Sequence, residues 1–416
     1  MPDRLFERGK TPFADRDALT DQYTPGELVG RDRELDQYRD YLEPAVWGED
    51  PNNIFLYGKT GVGKTATTKY LLEHLERDVA DYDDTNTTSV HVNCDGLSTS
   101  FRVAVAIVNE LREPHNQLPE SGYSTSEVYS FMWDALDNLA ENPEDPKQSN
   151  IVLLVLDEVD HTEVGEDSIL YQLSRAGEND KLQHVRVGVI GISNDLTFPD
   201  QLNPKVRSSL CQKKIFFDTY DAEELQAVLR QRAEIAFKDD ALEDGVIPRC
   251  AAYGRRQSGD AREALDLLRA AGDRARNQNR ETVCEDDVEY GIDRIQREEV
   301  IEGIQTLNEH SKYALYALLT LNAEDDTPAR TRRIHERYEL ICDMGGYDSL
   351  TSRRVRDFLQ ELSMLGAVEM SEQNQGKGGG QYYEFDIAHP IQMLIRALDD
   401  VIESHGRHRS LDEHHE

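Results

Sequence analysis

The chain has 416 residues, enough for two or three domains, and its 81 acidic against 46 basic side chains leave a formal charge of −35. Five cysteines without a C-x-x-C pair exclude a disulfide framework and a zinc ribbon, and no apolar run approaches a membrane span, so a cytoplasmic protein with no membrane partner is expected. The charge would ordinarily exclude nucleic acid too, but the acids are spread along the whole chain and arginine outnumbers lysine 34 to 12, the balance of a protein from a salt-loving source, where screening removes most self-repulsion.

Residues 1–20 are polar and read as an extended N-terminal segment. Residues 53–57 form a short apolar run suited to a buried strand, and residues 64–77 continue with helical periodicity. Between them lies Gly58-Lys59-Thr60-Gly61-Val62-Gly63-Lys64-Thr65, which fits the phosphate-loop pattern G-x-x-x-x-G-K-[ST] without a mismatch. The glycines let successive N–H groups point into one concavity at a helix start, where a triphosphate is held by the backbone. Lys64 adds a point charge, the Thr65 hydroxyl is placed to ligate magnesium, and Val62 and Ala66 complete the loop's nucleotide contacts.

A second strand is expected over 89–94, followed by room for an extra helical element between Phe101 and Trp133. The 93 positions from Lys64 to Asp157 exceed what a minimal core needs. The strand at 151–156 then ends in Asp157-Glu158. An unpaired carboxylate at a buried strand end is costly, and a magnesium ion at Asp157 removes that cost. Glu158 points differently and is the candidate to polarise an attacking water. Asp160 and His161 read as loop surface. Further strands are expected at 185–192 and 213–217, giving a parallel sheet with helices on both faces.

Strands stop near Tyr220, and residues 221–300 read as a helical lid on a base spanning 21–220. Residues 301–404 hold three helical segments, then a strand, a glycine-rich loop and a second strand, the order of a winged helix-turn-helix that binds DNA. Between 327 and 357 seven arginines face five acids, against the trend of the whole chain. Ser352, Arg353 and Arg356 share one face of the third helix, suited to base edges or phosphates, and Lys377 would meet a phosphate from the wing tip. The last stretch, 405–416, reads as a disordered tail.

With these motifs in order the chain resembles the archaeal origin-recognition and helicase-loader initiators, AAA+ ATPases related to eukaryotic origin-recognition proteins. Gly191-Ile192-Ser193-Asn194 resembles the sensor 1 segment, where Asn194 would orient the attacking water. The resemblance implies that Tyr220 and Arg232 lie at the nucleotide and that Arg262, in Gly259-Asp260-Ala261-Arg262, reaches the γ-phosphate. Family members often carry a trans-acting arginine after sensor 1. Here the aligned position is Ser209, and Arg207 is the candidate substitute. In such initiators the extra helical element contacts origin DNA. The resemblance implies an ATP- and Mg²⁺-dependent initiator that binds double-stranded origin DNA beside copies of itself, helps load the replicative minichromosome-maintenance helicase, and stays with the nucleoid. Slow hydrolysis would be its off-switch. The same parts also fit a branch-migration motor or an ATP-sensing winged-helix regulator.

Overall fold

The computed structural model describes residues 9–20, 23, 25–145, 147–165, 168–176, 181–374, 381–405 and 408–414. The chain forms two compact units, Met1–Val288 and Glu289–Glu416.

The first unit begins with α1 (Asp32–Val46), β1 (Ile54–Tyr57), α2 (Lys64–Val79) and β2 (Thr85–Asn93). It continues through α3 (Ser100–Glu110), α4 (Thr125–Asp137), β3 (Ser149–Asp157), α5 (Ile169–Ser174), β4 (Val185–Ser193), α6 (Phe198–Gln201), α7 (Pro204–Leu210) and β5 (Lys213–Phe216). The strands form one parallel sheet in the order β2-β3-β4-β1-β5. The two-residue period of a strand explains why β3 reads as unbroken apolar sequence. Ile151, Leu153 and Val155 pack with Ile54 and Leu56 against α1 and α2, whereas Val152, Leu154 and Leu156 pack with Phe55 against the helices on the other face. The extra element expected before Trp133 is the α3–α4 pair, whose second helix starts with a Ser124–Glu127 capping box.

After β5 come α8 (Ala222–Ala236), α9 (Val246–Gln257) and α10 (Ala261–Asn277). Asp221 sets the start of α8, accepting from Glu223 N and Glu224 N at 2.8 Å while Glu224 returns a bond to Asp221 N. The N-terminal segment departs from the extended reading. Arg16–Leu19 is a 3-10 turn, Phe13 stacks on Phe237 with ring centroids 5.0 Å apart, and Ala18 and Leu19 are buried. Three apolar residues in a polar stretch are enough to seat it, and Arg16 adds an ion pair to Asp273 at 2.8 Å.

At the far end of this unit Asp287 is completely buried. Burial alone would raise its carboxyl, but Arg280 and the Cys284 N–H bond to it and hold it below the usual carboxylate range. A folded-state value below the unfolded one contributes stability that is present above about pH 4 and lost as pH falls through the folded value. Asp287→Asn is expected to cost about 2–4 kcal/mol at neutral pH. In thermal melts the gap to the wild type should shrink below about pH 4; a gap independent of pH would contradict this.

The second unit takes in most of α11 (Glu285–Thr306), then α12 (Glu309–Asn322), β6 (Ala329–Arg330), α13 (Thr331–Gly345), α14 (Ser352–Met364), β7 (Val368–Asn374), β8 (Gln381–Ile387), α15 (Ile391–Ala397) and α16 (Asp399–His405). Ser311–Leu321 of α12 is buried on every side, so this helix is the centre of the unit. β6, β8 and β7 form a small antiparallel sheet beside α12–α14, a winged helix-turn-helix. Lys377 and the wing tip lie outside the described residues.

The described part of the tail, residues 408–414, departs from the expectation of disorder. Arg409–His414 forms a 3-10 helix, Leu411 is fully buried in the core of the unit, and His408 N donates to Tyr316 Oη at 2.8 Å. One leucine decides it, and composition averaged over the tail hides it. The five cysteines are free thiols, four of them buried. Among the described residues no helix is long and apolar enough to cross a membrane.

Candidate nucleotide-binding site

Strand order builds the site. β3, β4 and β1 are neighbours, so their carboxyl ends place Asp157, Ser193-Asn194 and the loop after Tyr57 side by side. Such strand ends are where open α/β sheets bind ligands. The cleft there is lined by Gly61, Gly63, Lys64, Thr65, Ala66, Asp157, Glu158, Asn194, Tyr220, Arg232 and Arg262. It encloses about 1060 Å³, part of it open solvent, enough for a nucleotide. Gly58 and Val62 do not line it. Val62 is buried in the core, and a Cβ at Gly58 would meet the Phe217 carbonyl at 2.3 Å, so both shape the loop from behind.

Lys64 is 4% exposed, and its ammonium donates to Gly58 O at 2.8 Å, Lys59 O at 2.6 Å and Asn194 Oδ1 at 2.9 Å. Burial, with Arg262 nearby, pushes it down to about 8 against the opposing pull of Asp157. Thr65 Oγ1 donates to Asp157 Oδ2 at 2.7 Å, and the other carboxylate oxygen takes the Glu158 N–H at 3.0 Å. Two hard oxygen donors beside a phosphate loop fit Mg²⁺. Glu158 has φ 54° and ψ 41°. This left-handed backbone costs a non-glycine residue about 1–3 kcal/mol and is typical of functional positions.

The lid closes the other side. Asp260 caps α10 by accepting from Arg262 N at 2.7 Å, and its carboxylate lies so close over Gly61 that a Cβ there would meet it at 1.6 Å. Ala261 N donates to Gly61 O at 3.2 Å, tying the lid backbone to the phosphate loop. Arg232 donates to the carbonyls of Ala18 and Tyr23, so it lines the cleft while anchoring the N-terminal segment. Tyr23, Pro25, Leu28, Val29, Val228 and Leu265 make an apolar end suited to a base.

Arg207, on α7, is not in this cleft; it pairs with Asp200 of α6 at 2.9 Å. Three further residues border the cleft: Arg31, which falls in the Gly26–Glu34 segment that the resemblance places near the adenine, and Lys69 and Asp160, to which sequence reasoning gave no role there. Arg31, 3% exposed, lies 3.7 Å over the Tyr220 ring and donates to Asp218 O at 2.8 Å. Lys69 lines the cleft one turn beyond Thr65, a helical spacing that could have been read. Asp160, expected on the loop surface, accepts the Asn194 N–H at 3.2 Å. Asp160→Ala is expected to lower ATP turnover about tenfold, with nucleotide affinity changed less than about twofold. Steady-state hydrolysis beside a fluorescent-nucleotide titration checks it; an equal loss in both would contradict it.

In the second unit, four of the arginines between 327 and 357 are paired: Arg330 to Glu384, Arg332 to Glu336, Arg333 to Asp326, and Arg337 in a fork to Glu324. Arg353, Arg354 and Arg356 on α14 have no acidic partner among the described residues. Ser352 and Arg353 are exposed and Arg356 is half-buried, beside an inner face of Val355, Leu359 and Leu362.

Family models match three stretches: an AAA ATPase domain at residues 27–187, the Cdc6 AAA+ ATPase-type lid domain at 226–293, and the CDC6 C-terminal winged helix domain at 302–397. The chain is 48% identical to an ORC1-type DNA replication protein of Haloarcula marismortui, over 98% of this chain and 96% of that one. It is 41% identical to one of Halobacterium salinarum, over 95% and 94%. Both relatives come from halophilic archaea. Among solved structures it is similar to the Aeropyrum pernix ORC1 protein in complex with DNA, with 34% identity, a TM-score of 0.67, and coverage of 95% of this chain and 98% of that one.

Proposed function

The chain belongs to the ORC1-type DNA replication protein family of AAA+ ATPases, and from that premise we propose that it is an initiator whose bound nucleotide controls its grip on double-stranded origin DNA. The observation that carries this reading is the convergence of the phosphate loop, Asp157-Glu158, Asn194 and Arg262 on one cleft. The nucleotide is ATP. Thr65 and Asp157 would hold Mg²⁺, which supplies charge neutralisation of the phosphates.

Lys64 leaves its loop carbonyls for the phosphate oxygens. Glu158 orients and deprotonates the attacking water with Asn194 beside it, and Arg262 brings the lid's charge to the γ-phosphate. No arginine from a second copy is needed for binding. Arg207, half-exposed beside Asp200, is the candidate to act as such a finger on a neighbouring copy; without one, turnover is slow and ATP serves as a state marker. The half-life of the ATP state then sets how long origin DNA is marked.

On DNA, α14 enters the major groove, with Ser352, Arg353 and Arg356 at base edges or phosphates and Lys377 on the wing. That a relative 34% identical is solved in complex with DNA supports DNA as the partner. In molar salt, counterion release drives phosphate binding weakly, so base contacts and DNA deformability carry specificity. The protein works in the cytoplasm on the nucleoid, beside further copies of itself, and hands the site to the minichromosome-maintenance helicase.

The test is binding of the purified protein to a duplex from a replication start region of its own chromosome, in molar KCl, with a non-hydrolysable ATP analogue or with ADP. The ATP-like state should bind about tenfold tighter or more. Equal affinity in both states would overturn nucleotide control.

A further inference from the structure

We propose that Asp95, Glu158 and His161 form a second cation site, for a borderline-soft divalent ion of the zinc class, that draws the Glu158 carboxylate away from hydrolysis. This rests on the reading of Glu158 as the residue that orients water.

The ligand atoms of the three residues lie within 4.8 Å of one another. His161 Nδ1 is 3.1 Å from Asp95 Oδ1 and 3.9 Å from Glu158 Oε2. Ligands about 2.0–2.2 Å from a tetrahedral ion stand roughly 3.3–3.6 Å apart, so these separations bracket what such an ion requires. The backbone already holds the three residues together. Cys94 N bonds Asp157 O at 2.8 Å, carrying the β2–β3 pairing up to Asp95, and Asp95 N is fixed by Asn93 Oδ1 at 2.8 Å. The 3-10 turn Val159–His161 closes with His161 N on Glu158 O at 3.1 Å and turns the imidazole back over Glu158.

One imidazole and two carboxylates are a donor set for zinc, with a fourth position left to water. Magnesium prefers all-oxygen sites, so the imidazole separates this site from the Thr65–Asp157 pair. The Asp95 and His161 side chains are 69% and 47% exposed, so an ion reaches them from solvent without crossing the cleft. Glu158 lines the cleft as well. One carboxylate cannot ligate the ion and deprotonate water together, so an occupied site stops hydrolysis and leaves ATP on Lys64 and Thr65. Scarce zinc would let the switch run down, and abundant zinc would hold it on.

The test uses nucleotide-free, full-length protein in molar KCl. Zn²⁺ is titrated against a chromophoric chelator, and Co²⁺ is followed by its visible absorption. The wild type should bind one ion per chain more than His161→Gln, and Asp95→Asn should weaken that ion by about tenfold or more. ATP turnover with and without Zn²⁺ should differ at least about tenfold in the wild type and less than about twofold in His161→Gln. Identical metal binding by the wild type and both variants would overturn the site. If both variants lose the ion but zinc leaves wild-type turnover unchanged, the site stands and the role given to Glu158 is overturned instead.

Discussion

Glu158→Gln is expected to lower ATP turnover by about 10²- to 10⁴-fold. Affinity for ATP should stay within about threefold, because the phosphate contacts come from Lys64 and Thr65. The amide keeps the size of the side chain and the left-handed turn at this position, φ 54°, while removing the group that takes the proton. Single-turnover hydrolysis with a fluorescent-nucleotide titration separates the two quantities. A loss of turnover below about tenfold would mean that another group activates the water, and a parallel loss of affinity would mean that the variant has distorted the cleft.

Arg353→Ala with Arg356→Ala is expected to weaken binding to a start-region duplex by about 30- to 10⁴-fold, each side chain contributing about 1–3 kcal/mol. Neither has an acidic partner among the described residues; Arg353 is exposed, and Arg356 is half-buried with its Nε buried and unpartnered. Arg332→Ala is the matched comparison. It removes an arginine from the same unit, but one already 3.3 Å from Glu336, and should cost less than about threefold. Fluorescence anisotropy in molar KCl checks all three variants. Equal losses from Arg332→Ala and the double variant would show a general charge effect and remove α14 from the interface.

The parts of this molecule legible in its sequence are those whose chemistry is local. A phosphate loop needs its glycines, lysine and threonine in one run, and a buried parallel strand needs continuous apolar residues, so both can be read without knowing what lies beside them. The capping box at Asp221 and Glu224 likewise announces the change from sheet to helices. Contacts between distant segments could not be read. Arg31 reaches Asp218 across 187 positions, and Asp160 reaches Asn194 across 34. Nothing in either local sequence names its partner. Asp260 over Gly61 is of the same kind, because only the folded lid brings that carboxylate to the loop.

The described parts of the two termini depart from the expectation for a different reason. Average composition governs a segment that stays in solvent, but a single side chain can anchor a short stretch when a finished core offers it a place. Leu411 does this for the tail, and Phe13 and Leu19 do it for the N-terminal turn. The arginines between 327 and 357 make the complementary point. Their number marked the unit, but only the folded pairing separates the four held by carboxylates from the three on α14.

The central claim is that the state of the nucleotide, set by Glu158, governs residence at replication start regions. A chromosome-wide map of bound sites in the protein's own cells, for the wild type and for Glu158→Gln, tests it most directly. The account predicts a few sharp peaks at start regions that persist or strengthen in the variant. Diffuse binding in both, or peaks that vanish when hydrolysis is blocked, would contradict it.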